Sequence, residues 1–352
     1  MQALVLAGGE GTRLRPLTLT TPKPVLPLAG RPFLTFMLDW LHGHGVDEAI
    51  LSLGFLSDAV HEVLGDIQSG MRLRYVHEDE PLGTAGPVRL AADEGILADR
   101  FLVLNGDVLT DMDLTAEMAQ HERTGAAGTL ALVEVDDVAS YGVVPTDDEG
   151  RVLEFREKAP GPAPTNRINA GAYVLERSVV DLIPSGRAVS FEREVFPQMV
   201  GNGLYGWAAD GYWIDIGTPE RYLEATWDLL AGRVESTLPE RDETGSLVYE
   251  GSLTGGAHIG PQSVLGPHTS VGADAAIERS VLHERVIVGT DAVIRQSIVG
   301  AGARIGEGVR MHDAVIGAGA VIEPGTQLEP GARLDPGAHP EPGVAPDPQP
   351  GG

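Results

Sequence analysis

The chain has 352 residues, no cysteine and a formal net charge of −26 at pH 7. Without cysteine there can be no disulfide, thiolate nucleophile or sulfur-ligated metal. The excess of acidic side chains argues against nucleic acid or an anionic membrane surface as a partner, because both need a positively charged face.

Length and hydropathy set further limits on the kind of protein. A chain of this length exceeds what one hydrophobic core usually supports, so two domains are expected. No apolar run approaches the roughly 18 residues that a membrane span needs. The chain enters a strand at Ala3 without a basic, cleavable leader, so we expect a cytoplasmic protein.

The first part of the chain alternates between two hydrophobic periods. Short apolar or alternating runs predict strands at Ala3–Ala7, Ala49–Leu53, Arg72–Val76, Phe101–Leu104 and Gly128–Val135. Helical spacing of apolar residues predicts helices at Phe33–His44, Leu56–Leu64 and Ala85–Glu94. This alternation is typical of a wound α/β sheet, in which ligands collect at the carboxyl ends of the strands.

The first predicted strand runs directly into a phosphate-binding pattern. Three glycines and an arginine follow the strand, and a lysine comes next between two prolines: Gly8, Gly9, Gly11, Arg13 and Lys23. Glycine N–H groups can approach phosphate oxygens closely, and the two cations add full charges. The spacing lacks the lysine and hydroxyl of a P-loop and the third glycine of a dinucleotide-binding turn. A tight turn without a ligand is the alternative.

A series of motifs extends this pattern along nearly the whole chain. They are Gly8-Gly-x-Gly-Thr-Arg-Leu, Pro22-Lys-Pro, Glu80-Pro-Leu-Gly-Thr-Ala-Gly86, Asn105-Gly-Asp107, Phe155-Arg-Glu-Lys158, Ile168-Asn-Ala-Gly171 and Trp213-Ile-Asp-Ile-Gly-Thr-Pro219. In this order they resemble the nucleoside-diphosphate-sugar pyrophosphorylases. The resemblance implies Mg²⁺-dependent transfer of a nucleotidyl group from a nucleoside triphosphate to a sugar 1-phosphate, with release of pyrophosphate.

The resemblance also implies roles for individual residues. Arg13 and Lys23 would be the catalytic cations on the phosphates, and Asp107 and Asp215 would hold Mg²⁺, which prefers carboxylate oxygens. The implied nucleotide-binding residues are Leu6, Ala7, Gly8, Gly9, Gly11, Thr12, Glu78, Gly83 and Thr84. The implied sugar-phosphate-binding residues are Gly142, Glu157, Lys158, Asn169 and Gly171.

Each charged residue in this set has a purely structural alternative. Arg13 could cap a surface loop, and Lys23 could form a structural ion pair. Asp107 follows Asn-Gly, which is favourable turn chemistry in its own right. Asp215 could cap a helix that begins near Pro219, and Glu157 with Lys158 could be an exposed ion pair.

A second repeat begins near Ile259, where an aliphatic residue recurs every six positions. The series is Ile259, Leu265, Val271, Ile277, Leu282, Val288, Ile294, Val299, Ile305, Met311, Ile316, Ile322, Leu328 and Leu334. Hexads with steps of five at every third interval predict the triangular coils of a parallel β-helix. The family resemblance implies that the β-helix is left-handed.

Together these patterns predict a Rossmann-like nucleotidyltransferase domain over residues 1–232 and a β-helix over residues 258–338. Residues 233–257 would form a linker, and residues 339–352 a disordered Pro/Gly tail. The flat flanks of a β-helix favour a homo-oligomer. His258, His268, His283 and His312 allow an acyltransferase alternative, but we expect turn histidines to be solvated surface residues.

The substrates are expected from finer features of the same resemblance. Pro22-Lys-Pro, Glu80-Pro-Leu-Gly, Ser190–Pro197 and the hexads look most like mannose-1-phosphate guanylyltransferases. GTP and mannose 1-phosphate are therefore the expected substrates. Glucose, heptose or cyclitol 1-phosphates as acceptor, or ATP, dTTP or UTP as donor, remain alternatives. So does a non-catalytic regulatory subunit that binds a nucleotide sugar.

Overall fold

A computed structural model of the chain describes residues 1–158 and 162–340. The predicted disordered tail therefore lies, from residue 341 onward, outside the described residues. The described chain divides into two compact units. The first unit contains Met1–Gly9 and Leu34–Trp213, and the second contains Glu10–Phe33 and the described part of 214–352.

The regular elements are numbered here in chain order. The α-helices are α1 (Phe33–Gly43), α2 (Ser57–Leu64), α3 (Gly86–Asp93), α4 (Leu114–Thr124), α5 (Phe196–Met199) and α6 (Pro219–Leu230). The strands are β1 (Gln2–Leu6), β2 (Pro27–Leu28), β3 (Arg31–Pro32), β4 (Glu48–Leu53), β5 (Ile67–Gln68), β6 (Met71–His77), β7 (Arg100–Asn105), β8 (Val108–Thr110), β9 (Gly128–Glu134), β10 (Gly142–Val143), β11 (Arg156–Glu157), β12 (Arg167–Glu176), β13 (Leu204–Ala208), β14 (Trp213–Asp215), β15 (Leu247–Val248), β16 (His258–Ile259), β17 (Val264–Leu265), β18 (Ser270–Val271), β19 (Ala276–Glu278), β20 (Val281–Leu282), β21 (Ile287–Val288), β22 (Val293–Arg295), β23 (Ile298–Val299), β24 (Arg304–Ile305), β25 (Arg310–His312), β26 (Val315–Ile316), β27 (Val321–Ile322) and β28 (Arg333–Leu334).

The first unit is built on a mixed sheet with the strand order β11-β10-β12-β7-β1-β4-β6-β5, and β9 and β13 continue from β12. Strands β7, β1, β4 and β6 run parallel, whereas β12 is antiparallel to β7. The predicted strands and helices of this region are confirmed, with boundaries shifted by at most one residue. The Rossmann-like interpretation is therefore correct.

The central strands of this sheet are buried on both faces. Leu4 of β1 is paired with Ile50 of β4 and Val103 of β7, and all three side chains belong to one core cluster. Parallel strands covered on both faces have near-continuous apolar sequences, which is why the period-based prediction succeeded there. The core holds the carboxyl ends of these strands in fixed register.

The second unit contains three sheets of short parallel strands, as the hexads predict. Their orders are β15-β17-β20-β23-β26-β28, β16-β19-β22-β25 and β18-β21-β24-β27. Residues of the hexad series stack on one another, as Leu265 does on Leu282 and Leu282 on Val299, and their side chains are buried. The parallel β-helix is therefore confirmed. Its stacking begins at β15, which lies within the predicted linker.

Small residues at the corners of the β-helix allow its coils to stack closely. A Cβ atom on Gly289 would lie only 2.5 Å from the backbone nitrogen of Glu307 in the next coil. Helix α6 belongs to the same unit and begins after Thr218, whose side chain accepts a hydrogen bond from the Arg221 N–H. None of the helices in the described ranges combines the length and the hydropathy of a membrane span.

Candidate active site

The first group of predicted site residues lies where β1 and β7 end. Leu6 is paired with Asn105, and the Gly106 N–H donates a 2.9 Å hydrogen bond to the Leu6 carbonyl. A Cβ atom on Gly106 would lie 2.6 Å from that oxygen, so only glycine fits there. The turn that carries Asp107 therefore packs directly against the start of the predicted phosphate-binding segment, and Asp107 is half-buried.

Glu78 lies against Gly8 in the same unit. A Cβ atom on Gly8 would be 2.7 Å from Glu78 Oε1, so glycine is what lets the carboxylate approach the backbone. Glu78 Oε1 accepts a hydrogen bond from the Ser52 hydroxyl (2.6 Å), and Oε2 accepts one from the Leu82 N–H (2.9 Å). The carboxylate is thus held between the end of β4 and the loop that joins β6 to α3.

The loop that carries Gly83 and Thr84 is tied to a later segment of the unit. Gly83 has φ +74°, and a Cβ atom there would lie 2.6 Å from the Val189 carbonyl oxygen. The Thr84 hydroxyl donates to Glu192 Oε2 (2.7 Å) and accepts from the Phe191 N–H (2.9 Å). These contacts place Glu192, to which sequence reasoning gave no role, beside the predicted nucleotide-binding loop.

Gly142 and Glu157 face each other on the antiparallel strands β10 and β11. A Cβ atom on Gly142 would lie 2.8 Å from Glu157 Oε2, so the carboxylate covers the glycine backbone. Burial raises the pKa of Glu157, the Glu192 carboxylate raises it further, and Lys158, 3.8 Å away, partly opposes the shift. Two carboxylates and a lysine thus interact electrostatically at this position.

A bulge in β12 places Asn169 and Gly171. The pairing of β12 with β9 shifts register between Asn169 and Tyr173. Asn169 donates to the Tyr173 hydroxyl (2.8 Å) and accepts from the Gly171 N–H (3.0 Å). Gly171 has φ +75°, and a Cβ atom there would lie 2.5 Å from Asn105 Nδ2. The bulge therefore brings the predicted sugar-binding residues next to the Asn105–Asp107 turn.

Sequence reasoning missed several polar and aromatic residues at these positions. Trp213 Nε1 donates to the Ala170 carbonyl (2.8 Å), and the Tyr141 ring packs edge-on against Trp213 at 5.6 Å. Asn105 lies against Gly171, and Glu192 beside Thr84. Trp213 and Asn105 lie in motifs whose aspartates were given roles, Tyr141 precedes the predicted Gly142, and Glu192 lies in Ser190–Pro197, to which no site role was given.

In the second unit, Arg13 lies over the backbone of Gly217. Arg13 is exposed and belongs to the single helical turn Thr12–Leu14. A Cβ atom on Gly217 would lie 2.5 Å from Arg13 Nη2. Gly217 follows the half-buried Asp215 by two residues, so the predicted catalytic arginine and the segment of the predicted metal ligand come together.

Lys23 lies against the glycine turn that precedes Arg13. A Cβ atom on Gly11, which has φ +63°, would lie 3.3 Å from Lys23 Cβ and 3.0 Å from Thr18 Cγ2. The Thr18 hydroxyl donates to the Gly11 carbonyl (2.8 Å). Lys23 is half-buried between two buried prolines, so the lysine backbone has little freedom.

The predicted site residues thus divide between the two units. The first contains Leu6, Ala7, Gly8, Gly9, Glu78, Gly83, Thr84, Asp107, Gly142, Glu157, Lys158, Asn169 and Gly171, and the second contains Gly11, Thr12, Arg13, Lys23 and Asp215. The domain boundaries predicted at residues 232 and 257, and the roles assigned to these residues, stay predictions.

Known proteins share both parts of this architecture. Residues 2–232 match the nucleotidyl transferase family, and residues 249–332 match the GMPPB C-terminal domain. The chain is 42% identical to the mannose-1-phosphate guanylyltransferase of Mycobacterium tuberculosis over 280 residues, which cover 76% of this chain and 77% of the relative. It is 35% identical to mannose-1-phosphate guanylyltransferase catalytic subunit beta of Dictyostelium discoideum over 269 residues, covering 75% and 73%.

Solved structures give the same result. HddC from Yersinia pseudotuberculosis matches with a TM-score of 0.56 at 33% identity, over 64% of this chain and 97% of that one. A second structure of HddC, complexed with GMP-PN, matches with a TM-score of 0.55 at 32% identity. On its sequence, its fold and these matches, the chain belongs to the nucleotidyl transferase family.

Proposed function

We propose that this enzyme transfers the guanylyl group of GTP to mannose 1-phosphate, giving GDP-mannose and pyrophosphate. The observation that carries the proposal is that predicted nucleotide- and sugar-binding residues of the first unit, Leu6 and Gly171, lie against the Asn105–Asp107 turn where β1 and β7 end. The names of the relatives from Mycobacterium tuberculosis and Dictyostelium discoideum support this choice of base and sugar.

Guanine is favoured by the chemistry of Glu78. A carboxylate only accepts hydrogen bonds, and its oxygens keep lone pairs beyond those used by Ser52 and Leu82. Guanine offers N–H donors at N1 and N2, whereas adenine offers an acceptor at N1. The Glu78 carboxylate can therefore accept two hydrogen bonds from guanine, whereas with adenine it would meet the N1 lone pair beside the single N6 donor.

The transfer needs positive charge and alignment rather than a covalent intermediate. A phosphate oxygen of mannose 1-phosphate attacks the α-phosphorus of GTP, and the bond from that phosphorus to the pyrophosphate oxygen breaks. Arg13 and Lys23 offset the repulsion between the two anions and stabilise the charge on the departing pyrophosphate. Gly11 and Thr12 supply the turn on which these cations are placed.

The sugar phosphate is bound by residues of the first unit. Glu157 accepts hydrogen bonds from sugar hydroxyls, and Asn169 forms hydrogen bonds with them through its amide group. Lys158 binds the phosphate. Because Gly142 and Gly171 have no Cβ atom, the side chains of Glu157 and Asn105 can lie directly against the backbone there. A side chain at either glycine would displace the groups that recognise the sugar.

Mg²⁺ fits the donors that the chain provides. In the described ranges, no three His, Asp or Glu side chains come together as a metal site, so the protein supplies few ligands. Mg²⁺ takes one or two carboxylates and completes its shell with phosphate oxygens and water. Asp107 and Asp215 are half-buried carboxylates suited to hold it. The bound ion would neutralise phosphate charge during transfer.

Pyrophosphate release tests the proposal directly. The wild-type protein is assayed with Mg²⁺ across GTP, ATP, UTP, dTTP and CTP, each combined with mannose, glucose and cyclitol 1-phosphates. We expect release with GTP and mannose 1-phosphate above all other pairs. Asp107→Ala and Asp215→Ala should abolish release, whereas Asp148→Ala, in an exposed turn, should not.

Each other result would overturn part of the proposal. A different preferred pair would replace guanine or mannose and keep the reaction class. Silence with every pair, together with tight binding of a nucleotide sugar, would favour the regulatory subunit. Undiminished release by Asp107→Ala would contradict the metal assignment. Homo-oligomerisation and a cytoplasmic location stay predictions, and sedimentation velocity tests the first.

A further inference from the structure

The segment Glu10–Phe33, called the basic loop here because it carries Arg13 and Lys23, belongs to the compact unit of the β-helix. We propose that the β-helix positions the basic loop for nucleotide binding, with Tyr222, Tyr249, His283 and Arg333 as the positioning residues. The inference rests on the proposed function, because it assigns Arg13 and Lys23 to the triphosphate.

The basic loop has little regular structure of its own. Its helices are single turns at Thr12–Leu14, Leu17–Leu19 and Lys23–Val25, and its strands β2 and β3 have two residues each. Such short elements leave a segment free to open locally unless other parts of the fold hold it. Cations that must meet a triphosphate need supporting contacts to keep their geometry.

The first contact comes from Tyr249, directly after β15. The Tyr249 hydroxyl donates to the Ala29 carbonyl (2.7 Å), and its ring lies over Gly30, where a Cβ atom would be 2.3 Å away. The Tyr249 N–H donates to the Leu265 carbonyl (2.9 Å) in the next coil. Tyr249 therefore joins the first coil of the β-helix to the end of the basic loop.

The second contact passes through helix α6. The Tyr222 hydroxyl donates to the Pro27 carbonyl and lies 3.2 Å from His283 Nε2. Since the hydroxyl hydrogen is used on Pro27, the His283 ring must donate to the Tyr222 oxygen. Both side chains are buried, and the backbone N–H of His283 donates to the Val299 carbonyl within the β-helix. The expectation that His283 is a solvated surface residue is therefore wrong.

The third contact comes from Arg333 in the last paired strand, β28. Arg333 Nη1 donates to the Arg15 carbonyl (3.3 Å), and Nη2 lies 3.6 Å from Glu220 Oε1. Arg15 follows Arg13 by two residues, and Glu220 is the second residue of α6. Arg333 thus links the backbone next to the catalytic arginine to the helix that follows Gly217.

The test removes single polar groups and compares the two substrates. Tyr222→Phe, Tyr249→Phe and Arg333→Gln each delete a bond to the basic loop. Matched controls are Tyr205→Phe in β13 and Arg295→Gln, which loses only an ion pair with Glu278 on the β-helix surface. We expect each test variant to raise the KM for GTP about three- to tenfold. The KM for mannose 1-phosphate should stay unchanged, because its predicted residues lie in the first unit.

Two further measurements separate positioning from general damage to the fold. His283→Gln keeps a side-chain N–H donor and should restore most of the GTP affinity that His283→Leu loses, measured by calorimetric titration. Hydrogen exchange at the Leu14, Val25 and Leu26 amides, which are bonded within the basic loop, should accelerate in Tyr249→Phe and Arg333→Gln but not in the controls.

The outcomes distinguish the two proposals. Variants that match their controls in both GTP affinity and exchange would overturn the positioning role, as would equal losses for both substrates. A wild-type protein that releases no pyrophosphate with any pair would overturn the proposed function instead. Because hydrogen exchange needs no activity, faster exchange in the test variants would still support the mechanical link between β-helix and basic loop.

Discussion

The two units hold their predicted site residues by different means. In the first, the backbone itself is crowded: Gly106 lies against Leu6, and Gly171 against Asn105, at distances that exclude a Cβ atom. In the second, Gly30 and Gly217 also leave no room for a Cβ atom, but Arg13 and Lys23 lie on a loop of single turns that hydrogen bonds from Tyr249 and Arg333 attach to the coils. Close backbone packing fixes a site rigidly, whereas a few hydrogen bonds allow its position to be adjusted.

Arg13→Ala should give the largest effect on activity. It tests how much of the contribution of the basic loop comes from this one side chain. Arg13 is exposed, so its removal should leave the thermal midpoint unchanged. Loss of the charge that we propose to stabilise the departing pyrophosphate should lower kcat about 10³-fold. The measurement is steady-state pyrophosphate release with saturating GTP.

Arg304→Ala, at an exposed coil position of β24, serves as the control for Arg13→Ala. It should retain wild-type kcat. If Arg13→Ala loses less than about tenfold, which corresponds to less than about 1.4 kcal/mol of the barrier, Arg13 is not a catalytic residue.

The buried His283 should make the stability of the second unit depend on acid. Burial lowers the pKa of His283 from 6.5 to about 4, so only the unfolded chain takes up a proton between those values. The free energy of unfolding should therefore fall by about 3 kcal/mol as the pH is lowered from 6.5 to 4. Above pH 6.5 this loss is absent.

Urea unfolding of wild type and His283→Gln at pH 7.5, 5.5 and 4.5 measures this contribution. The variant has no titrating ring, so the difference in unfolding free energy between the two proteins should change with pH only between about pH 4 and pH 6.5. A constant difference would show that the imidazole does not titrate on unfolding.

The first unit should show the opposite pH dependence through Glu117 of α4. Glu117 is fully buried, and neither carboxyl oxygen has a hydrogen-bond partner among the described residues. Burial raises the pKa of Glu117 well above 4.5, so the folded protein keeps this proton to a higher pH than the unfolded chain does, and the resulting stabilisation is lost as the pH rises. Glu117→Met should stabilise the protein by about 2 kcal/mol near neutral pH.

The same unfolding series tests Glu117→Met, with Glu122→Met on the same helix as control, because Glu122 is exposed. The stabilisation should shrink as the pH falls toward 4.5. A variant that is less stable than wild type at pH 7.5 would show that the buried carboxyl group has a favourable partner in solution.

The same contrast explains what could be predicted from sequence. The sequence predicts strands β1, β4 and β7 and the β-helix coils because burial requires apolar residues at regular intervals along the chain. Leu265, Leu282 and Val299 are an example. Tyr249 and Arg333 were missed because each is a single side chain that contacts a backbone carbonyl some 220 or more residues earlier, at Ala29 and Arg15. Such contacts leave no local pattern.

Site residues were predicted where the family resemblance assigns them a role. They were missed where only the folded structure shows the contact. Gly142 and Glu157 were both predicted from motifs and do face each other across two strands. Glu192 lies in the segment Ser190–Pro197 but was given no role, because only the fold brings it to Thr84, 108 residues earlier in the chain. His283 was misjudged, since a turn position says nothing about the helix that packs over it.

The smallest expected effect comes from the two helix caps, one in each unit. Asp113 accepts from the Ala116 N–H (3.1 Å) at the start of α4, and Thr218 accepts from the Arg221 N–H (3.4 Å) at the start of α6. Replacement of either residue by alanine should cost about 1 kcal/mol of unfolding free energy.

The two cap variants should differ in enzyme kinetics, although both lose about the same free energy of unfolding. Thr218 follows Gly217, on which Arg13 lies, so Thr218→Ala should also raise the KM for GTP about threefold, whereas Asp113→Ala should leave it unchanged. Equal kinetic effects would mean that the loss follows general stability. Both caps accept a hydrogen bond from a first-turn N–H, so a kinetic difference beyond the stability loss would reflect what each helix supports: α4 packs on the sheet core, and α6 follows the segment on which Arg13, the predicted catalytic residue, lies.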